Sequence, residues 1–265
     1  MMIRVENLRK LMRENDLEAF LVTSPYNLRY LTNFTGTTGL AVITLANAYF
    51  VTDFRYTEQA AMQAKVYTIV KNTGPIFEEV AKICTQDELK NLAFEESFVT
   101  VRDYDQLEDL IHETSLVPVS GLIESLREIK DEKEVEITKK ACEIADKAFL
   151  HILDYVKPGM SEIQVANELD FFMRSLGASG VSFDTIVASG LRSAMPHGVA
   201  SEKLIEQNDL ITIDFGCYYQ GYVSDMTRTF AIGDPGEKLK EIYPSNSACL
   251  LALFSLINSM IAPPN

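Results

Sequence analysis

From Val5 to Val119 the chain alternates helix-spaced stretches with short apolar runs, and this alternation is the strongest constraint on its fold. Val5 to Arg13 carries apolar residues at helical spacing, whereas Ala19-Phe20-Leu21-Val22 is short and apolar enough for a buried strand. Leu40 to Leu45 and Ala48 to Thr52 read as a hairpin turning at Ala46-Asn47. Helical spacing returns over Tyr56 to Ala64, Ile76 to Cys84 and Tyr104 to His112, with strand-like runs at Val66 to Val70, Leu92 to Phe94 and Leu116 to Val119. Apolar strands interleaved with amphipathic helices bury themselves as a sheet covered by helices, so an α/β layer domain with a mixed sheet is expected over 1–123.

The pattern changes after Ser120-Gly121. Glu124 to Val156 reads as one long helical segment, with Ile137, Ala141, Ile144, Ala148 and Ile152 forming a single apolar stripe. The charged run Lys130 to Glu134 is a solvated face or an exposed joint between domains. Pro158-Gly159 stops the helix, and Ser161-Glu162-Ile163-Gln164 reads as a capping box opening another that runs to Gly177. Strand-like runs follow at Phe183 to Ala188, Leu210 to Phe215 and Tyr222 to Ala231. A second domain is therefore expected over 124–243, in an α/β (α+β) chain. The remainder, 244–265, contains no Asp, Glu, Lys or Arg. Its apolar stretch from Cys249 to Ala262 is too short and too interrupted to span a bilayer. A buried C-terminal helix, a membrane anchor and a segment foreign to the preceding domain are its three readings.

A formal net charge of −14 offers no electrostatic reward to nucleic acid or to an anionic membrane, so neither is expected as a partner. Four scattered cysteines without a CxxC pair make neither a zinc ribbon nor a disulfide framework. The charged N-terminus lacks the apolar core of a secretion signal, and a cytoplasmic location is expected. No GxGxxG, Walker or GxSxG pattern supports nucleotide binding or serine hydrolysis.

Chemistry concentrates in ITIDFGCYYQGYVSDMTRTF, residues 211–230, where Asp214 and Asp225 fall in runs that otherwise read as strands. A hairpin turning at Tyr219-Gln220, or through a four-residue loop ending at Gly221, would set Asp214 directly opposite Asp225, with Cβ atoms about 4.5–5.5 Å apart. Two carboxylates so opposed need a shared proton or a cation between them. Hard oxygen donors at that spacing suit a pair of divalent ions. The alternative is two solvated aspartates at the ends of a turn. His197, flanked by Pro196 and Gly198, lies in a loop between strand-like runs, where functional side chains are often displayed; an ordinary surface histidine is the other reading.

VSFDTIVASGLRSAMPHG (181–198) with NDLITIDFGCYYQGYVSDMTRTF (208–230) closely resembles the metal-dependent Xaa-Pro aminopeptidase and proline dipeptidase family, with the pita-bread fold of creatinase. SPYNLRYLTNFTG (24–36) and VTDFRYTEQA (51–60) fit that family's creatinase-type N-terminal domain, and the resemblance is expected to run to about residue 243. It implies that Asp214 and Asp225 are metal ligands, Asp225 bridging two divalent ions of manganese, cobalt or zinc. It implies further that Thr227 supports the site from behind, and that His197 contacts substrate and stabilises the tetrahedral intermediate. A proline-containing peptide would be the substrate, and a homodimer a common assembly. The family completes its site with a histidine and two glutamates further along, whereas here no histidine follows Ala231 and only Glu237 and Glu241 remain. The expectation is a truncated catalytic domain that binds metal weakly and is inactive alone. A metal-free peptide- or protein-binding module, or a non-functional fragment, is the alternative.

Overall fold

The alternating pattern of the first part builds a six-stranded mixed sheet with helices on both faces. The computed structural model describes residues 2–242; the expectations for 244–265 lie outside the described residues. In chain order the elements are α1 (Met2–Glu14), β1 (Ala19–Val22), α2 (Pro25–Thr32), β2 (Leu40–Thr44), β3 (Ala48–Thr52), α3 (Thr57–Gln63) and β4 (Thr68–Lys71). They continue with α4 (Ile76–Gln86), β5 (Asn91–Glu95), α5 (Val101–Leu110), β6 (Ser115–Val119) and α6 (Leu122–Glu128). The strand order is β4-β3-β2-β1-β5-β6, antiparallel across β3-β2-β1 and parallel at both flanks.

β1, β2 and β3 are buried along their whole length, which explains their unbroken apolar runs. Phe20, Ile43 and Phe50 enter a core shared with Leu8 and Met12 of α1, while Leu21, Val42 and Val51 enter another with Val80 of α4 and Leu107 of α5. α2 stands where no helix is expected from the sequence. Ser24 caps it by accepting from Asn27 N, and Pro25 occupies its first turn, where no N–H is needed.

The helix expected over 124–156 is two helices. Ile129 is extended, and Asp131 caps α7 (Glu132–Tyr155) in a reciprocal box with Glu134. The charged run KDEKE is therefore a helix stop followed by a helix start. By contacts the chain divides into Met1–Lys130 and Asp131–Asn265, so α6 packs with the first unit.

In the second unit α7 is followed by α8 (Glu162–Ser175), β7 (Gly180–Val181), β8 (Ile186–Ser189), β9 (Leu210–Phe215), β10 (Cys217–Tyr219), β11 (Tyr222–Val223) and β12 (Met226–Ala231). Two three-stranded sheets form, β11-β10-β7 and β12-β9-β8. The stripe Ala141, Ile144, Ala148 and Ile152 of α7 packs with Val165, Leu169 and Met173 of α8 against Ile211, Ile213 and Phe215 of β9. Thr212 and Asp214 alternate with those residues and face away from the core. Among the described residues no helix is long and apolar enough to cross a membrane.

Candidate metal centre

The two aspartates stand on one kinked hairpin that passes from one small sheet to the other. β9 and β12 form its lower part and β10 and β11 its tip, with a turn at Gln220 (φ 48°) and Gly221 (φ 88°). Positive φ at both central residues is the requirement of a type I′ turn, which glycine at the second position meets without strain. This places the turn one residue later than the two-residue alternative expected from the sequence, and the register shifts with it.

Asp214 consequently pairs with Thr227, and Met226 with Phe215. The expectation that Asp214 and Asp225 face each other directly is corrected: counted along the same register, Asp225 falls across from Gly216. The aspartates are diagonal neighbours, a relation in which Cα atoms lie about 7–8 Å apart rather than in van der Waals opposition. The chain bends between β9 and β10 at Gly216, where a Cβ would come within 1.9 Å of Ser224 O. Only glycine permits that close approach of the two strands beside Asp225.

Asp214 is half-buried, and Thr227 Oγ1 donates to its Oδ1 at 2.8 Å. Asp225 is exposed. His197 is exposed in the loop that leaves the 3-10 turn Gly190–Ala194. Among the described residues the side chains of Asp225 and His197 make no hydrogen bond or ion pair. Val199, two residues beyond His197, bridges to Ile186 of β8, and Ile186 pairs on its other side with Asp214. Thr227, Asp214, Ile186 and Val199 thus form one row across the sheet, and the loop carrying His197 lies along it.

Two carboxylate donors suit a hard divalent ion. Among the described residues, however, no group of three or more His, Cys, Asp or Glu side chains converges on a common point. The residues present fit part of a metal site.

Glu162 carries no signal in the sequence: Ser161 and Gln164 form the expected reciprocal cap of α8, and Glu162 stands between them as an acid in the first turn. Glu162 is instead fully buried. Its Oε1 accepts from Ser189 N (2.8 Å) and Ser189 Oγ (2.9 Å), its Oε2 from Ser201 N (3.2 Å) and Ser201 Oγ (2.6 Å), and Arg192 Nε lies 3.0 Å from Oε2. Burial pushes this carboxyl up, but the bonds from Ser201 and Ser189 and the Arg192 guanidinium outweigh it and hold the group below its ordinary value. Only the partners' positions, distant in sequence, reveal the residue.

Comparison with known proteins places both units. Residues 4–129 match the creatinase/prolidase N-terminal domain and residues 136–262 match metallopeptidase family M24. The second match passes Pro244, beyond the point where the resemblance was expected to stop. The chain belongs to metallopeptidase family M24, with a creatinase-type domain ahead of a pita-bread-like one. It is 51% identical over 241 residues to the uncharacterized peptidase YqhT of Bacillus subtilis, covering 91% of this chain and 68% of that protein. It is 37% identical over 245 residues to an Xaa-Pro dipeptidase of Pyrococcus furiosus, again covering 91% and 68%. The solved Xaa-Pro dipeptidase from Bacillus anthracis superposes with a TM-score of 0.89 at 51% identity, over 92% of this chain and 68% of that one. The chain therefore spans about two thirds of the length of these relatives.

Proposed function

We propose that this chain carries part of the active centre of a metal-dependent exopeptidase that cleaves the bond between an N-terminal residue and proline. The observation that carries the reading is the diagonal pair Asp214 and Asp225, with Thr227 bonded to Asp214, in a member of family M24 whose named relatives include Xaa-Pro dipeptidases. Asp214 and Asp225 would hold divalent ions, which when bound would supply Lewis acidity toward a carbonyl and activate water at neutral pH. Thr227 fixes the rotamer of Asp214 and keeps one of its oxygens hydrogen-bonded, leaving the other for the ion. His197, exposed and with no side-chain partner among the described residues, donates to the substrate oxygen on which charge develops. The substrate's proline is a tertiary amide that restricts the residue before it, so a dedicated cleft is required. The enzyme acts in the cytoplasm.

With two carboxylates and no third donor among the described residues, residues 1–265 on their own bind Mn²⁺ weakly and hydrolyse Xaa-Pro peptides negligibly. Titration of Mn²⁺ followed by electron paramagnetic resonance tests the site: Asp214→Asn or Asp225→Asn should abolish the binding, and binding indifferent to both would refute it. A peptide-hydrolysis assay in saturating Mn²⁺ tests the second statement, which robust release of the N-terminal residue would overturn.

A further inference from the structure

Glu162 has no part in the metal site, yet it is one of the most completely buried charged groups described, and all of its side-chain bonds go to one segment. Ser189 precedes the loop Gly190–Ala200, Arg192 lies within it and Ser201 follows it. The two carboxylate oxygens divide the work: Oε1 holds Ser189, Oε2 holds Ser201, and Arg192 Nε reaches both at 3.3 and 3.0 Å. Arg192 then donates through Nη2 to Val199 O at 2.8 Å, which ties the start of the loop to its far end. The helix adds backbone bonds to the same closure, Ile163 N to Ser201 O and Glu162 N to Lys203 O, both 3.0 Å. Lys203 Nζ donates to Ser189 Oγ and pairs with Asp209, each at 2.9 Å, so the outer side of the cluster is also fixed.

A carboxylate with no exposure is costly to desolvate unless donors surround it. A loop closed merely for stability would need no such charge. What the charge adds is direction, because each ionic bond specifies where one point of the segment must stand. The segment so fixed contains His197 and is laid by the Val199–Ile186 bridge beside the strand of Asp214.

We infer that Glu162 is a positioning residue: through Ser189, Arg192 and Ser201 it sets the place of His197 relative to the Asp214–Asp225 pair. This rests on the reading of those residues proposed above.

The chain has three histidines, His112, His151 and His197, so its imidazole proton resonances form a small set, assigned by substituting each. In metal-free Glu162→Gln protein the His197 resonance should move from its position in the unsubstituted chain, as the loop that carries it changes place, while His112 and His151 stay in place. On adding Mn²⁺, the variant should lose most of the broadening that His197 shows in the unsubstituted chain, with Mn²⁺ affinity unchanged. A merely structural role would not separate those two readouts. A His197 resonance and broadening unchanged in Glu162→Gln overturns the inference. If all three resonances collapse because that variant does not fold, Arg192→Gln decides, since it leaves the serine bonds intact. Selective movement of His197 then supports the staple, and no movement overturns it. If Mn²⁺ fails to broaden His197 in the unsubstituted chain, the metal-site reading fails instead, and the metal-free resonances still decide the role of Glu162.

Discussion

Asp214 and Thr227 are a directly opposed cross-strand pair whose side chains meet on the face turned away from the core, so the hydroxyl orients the carboxylate without competing for core space. Thr227→Val keeps the shape and removes the donor. It should weaken Mn²⁺ binding about tenfold, as the loss of a ligand's supporting hydrogen bond commonly does, and Thr227→Ser should restore it; the same Mn²⁺ titration reads both. Glu162 carries a prediction in pH. Its folded pKa is depressed, so its contribution to stability is complete above the ordinary glutamate value of 4.5 and is lost as pH falls through the folded one. Glu162→Gln should cost about 1–3 kcal/mol at neutral pH through the bonds it weakens. Thermal melts of the two proteins should converge as pH drops below the glutamate range, because protonated Glu162 then resembles Gln.

The hairpin β9–β12 shows how a whole element depends on where its turn falls. Moving the turn by one residue slides the strands by two, which keeps every side chain on its face but exchanges one partner for the next. That is why Asp214 meets Thr227 rather than Asp225. The run of β9 and the alternation of Ile211, Ile213 and Phe215 were legible, whereas the splitting of the expected strand Tyr222 to Ala231 into β11 and β12 of different sheets was not, nor was the choice between Tyr219-Gln220 and Gln220-Gly221, because both turns leave the apolar face intact. Gly216 is the hairpin's most constrained point. Gly216→Ala would drive a Cβ onto a backbone carbonyl oxygen that cannot swing away, and should cost about 1–3 kcal/mol. Gly221→Ala, strained only by its positive φ, should cost about 1 kcal/mol. Urea denaturation of the two variants should rank them in that order.

Across the whole molecule the apolar cores respect the division after Lys130. The buried residues of two of them lie between Val5 and Ile123, and those of the third between Ala141 and Met226. The first 130 residues expressed alone should therefore unfold in one cooperative transition, observed by circular dichroism during a thermal melt; a gradual loss of signal would show that their cores are insufficient. What the sequence by itself determined was periodicity: most of the runs that become helices and strands, the apolar stripe of α7, and the two carboxylates, Asp214 and Asp225, standing where strands normally exclude Asp, with His197 in a loop between Pro196 and Gly198; Thr227 entered only through the family resemblance. These follow from nearest neighbours along the chain, since local spacing sets which residues share a face and an unbroken apolar run marks a strand buried on both. Tertiary structure alone decided the register that makes the aspartates diagonal, the break that separates α6 from α7, and the burial of Glu162. Each of those depends on atoms brought together from distant parts of the chain. A carboxylate four residues past Pro158 has the same local neighbours whether it ends in solvent or between Ser189, Arg192 and Ser201.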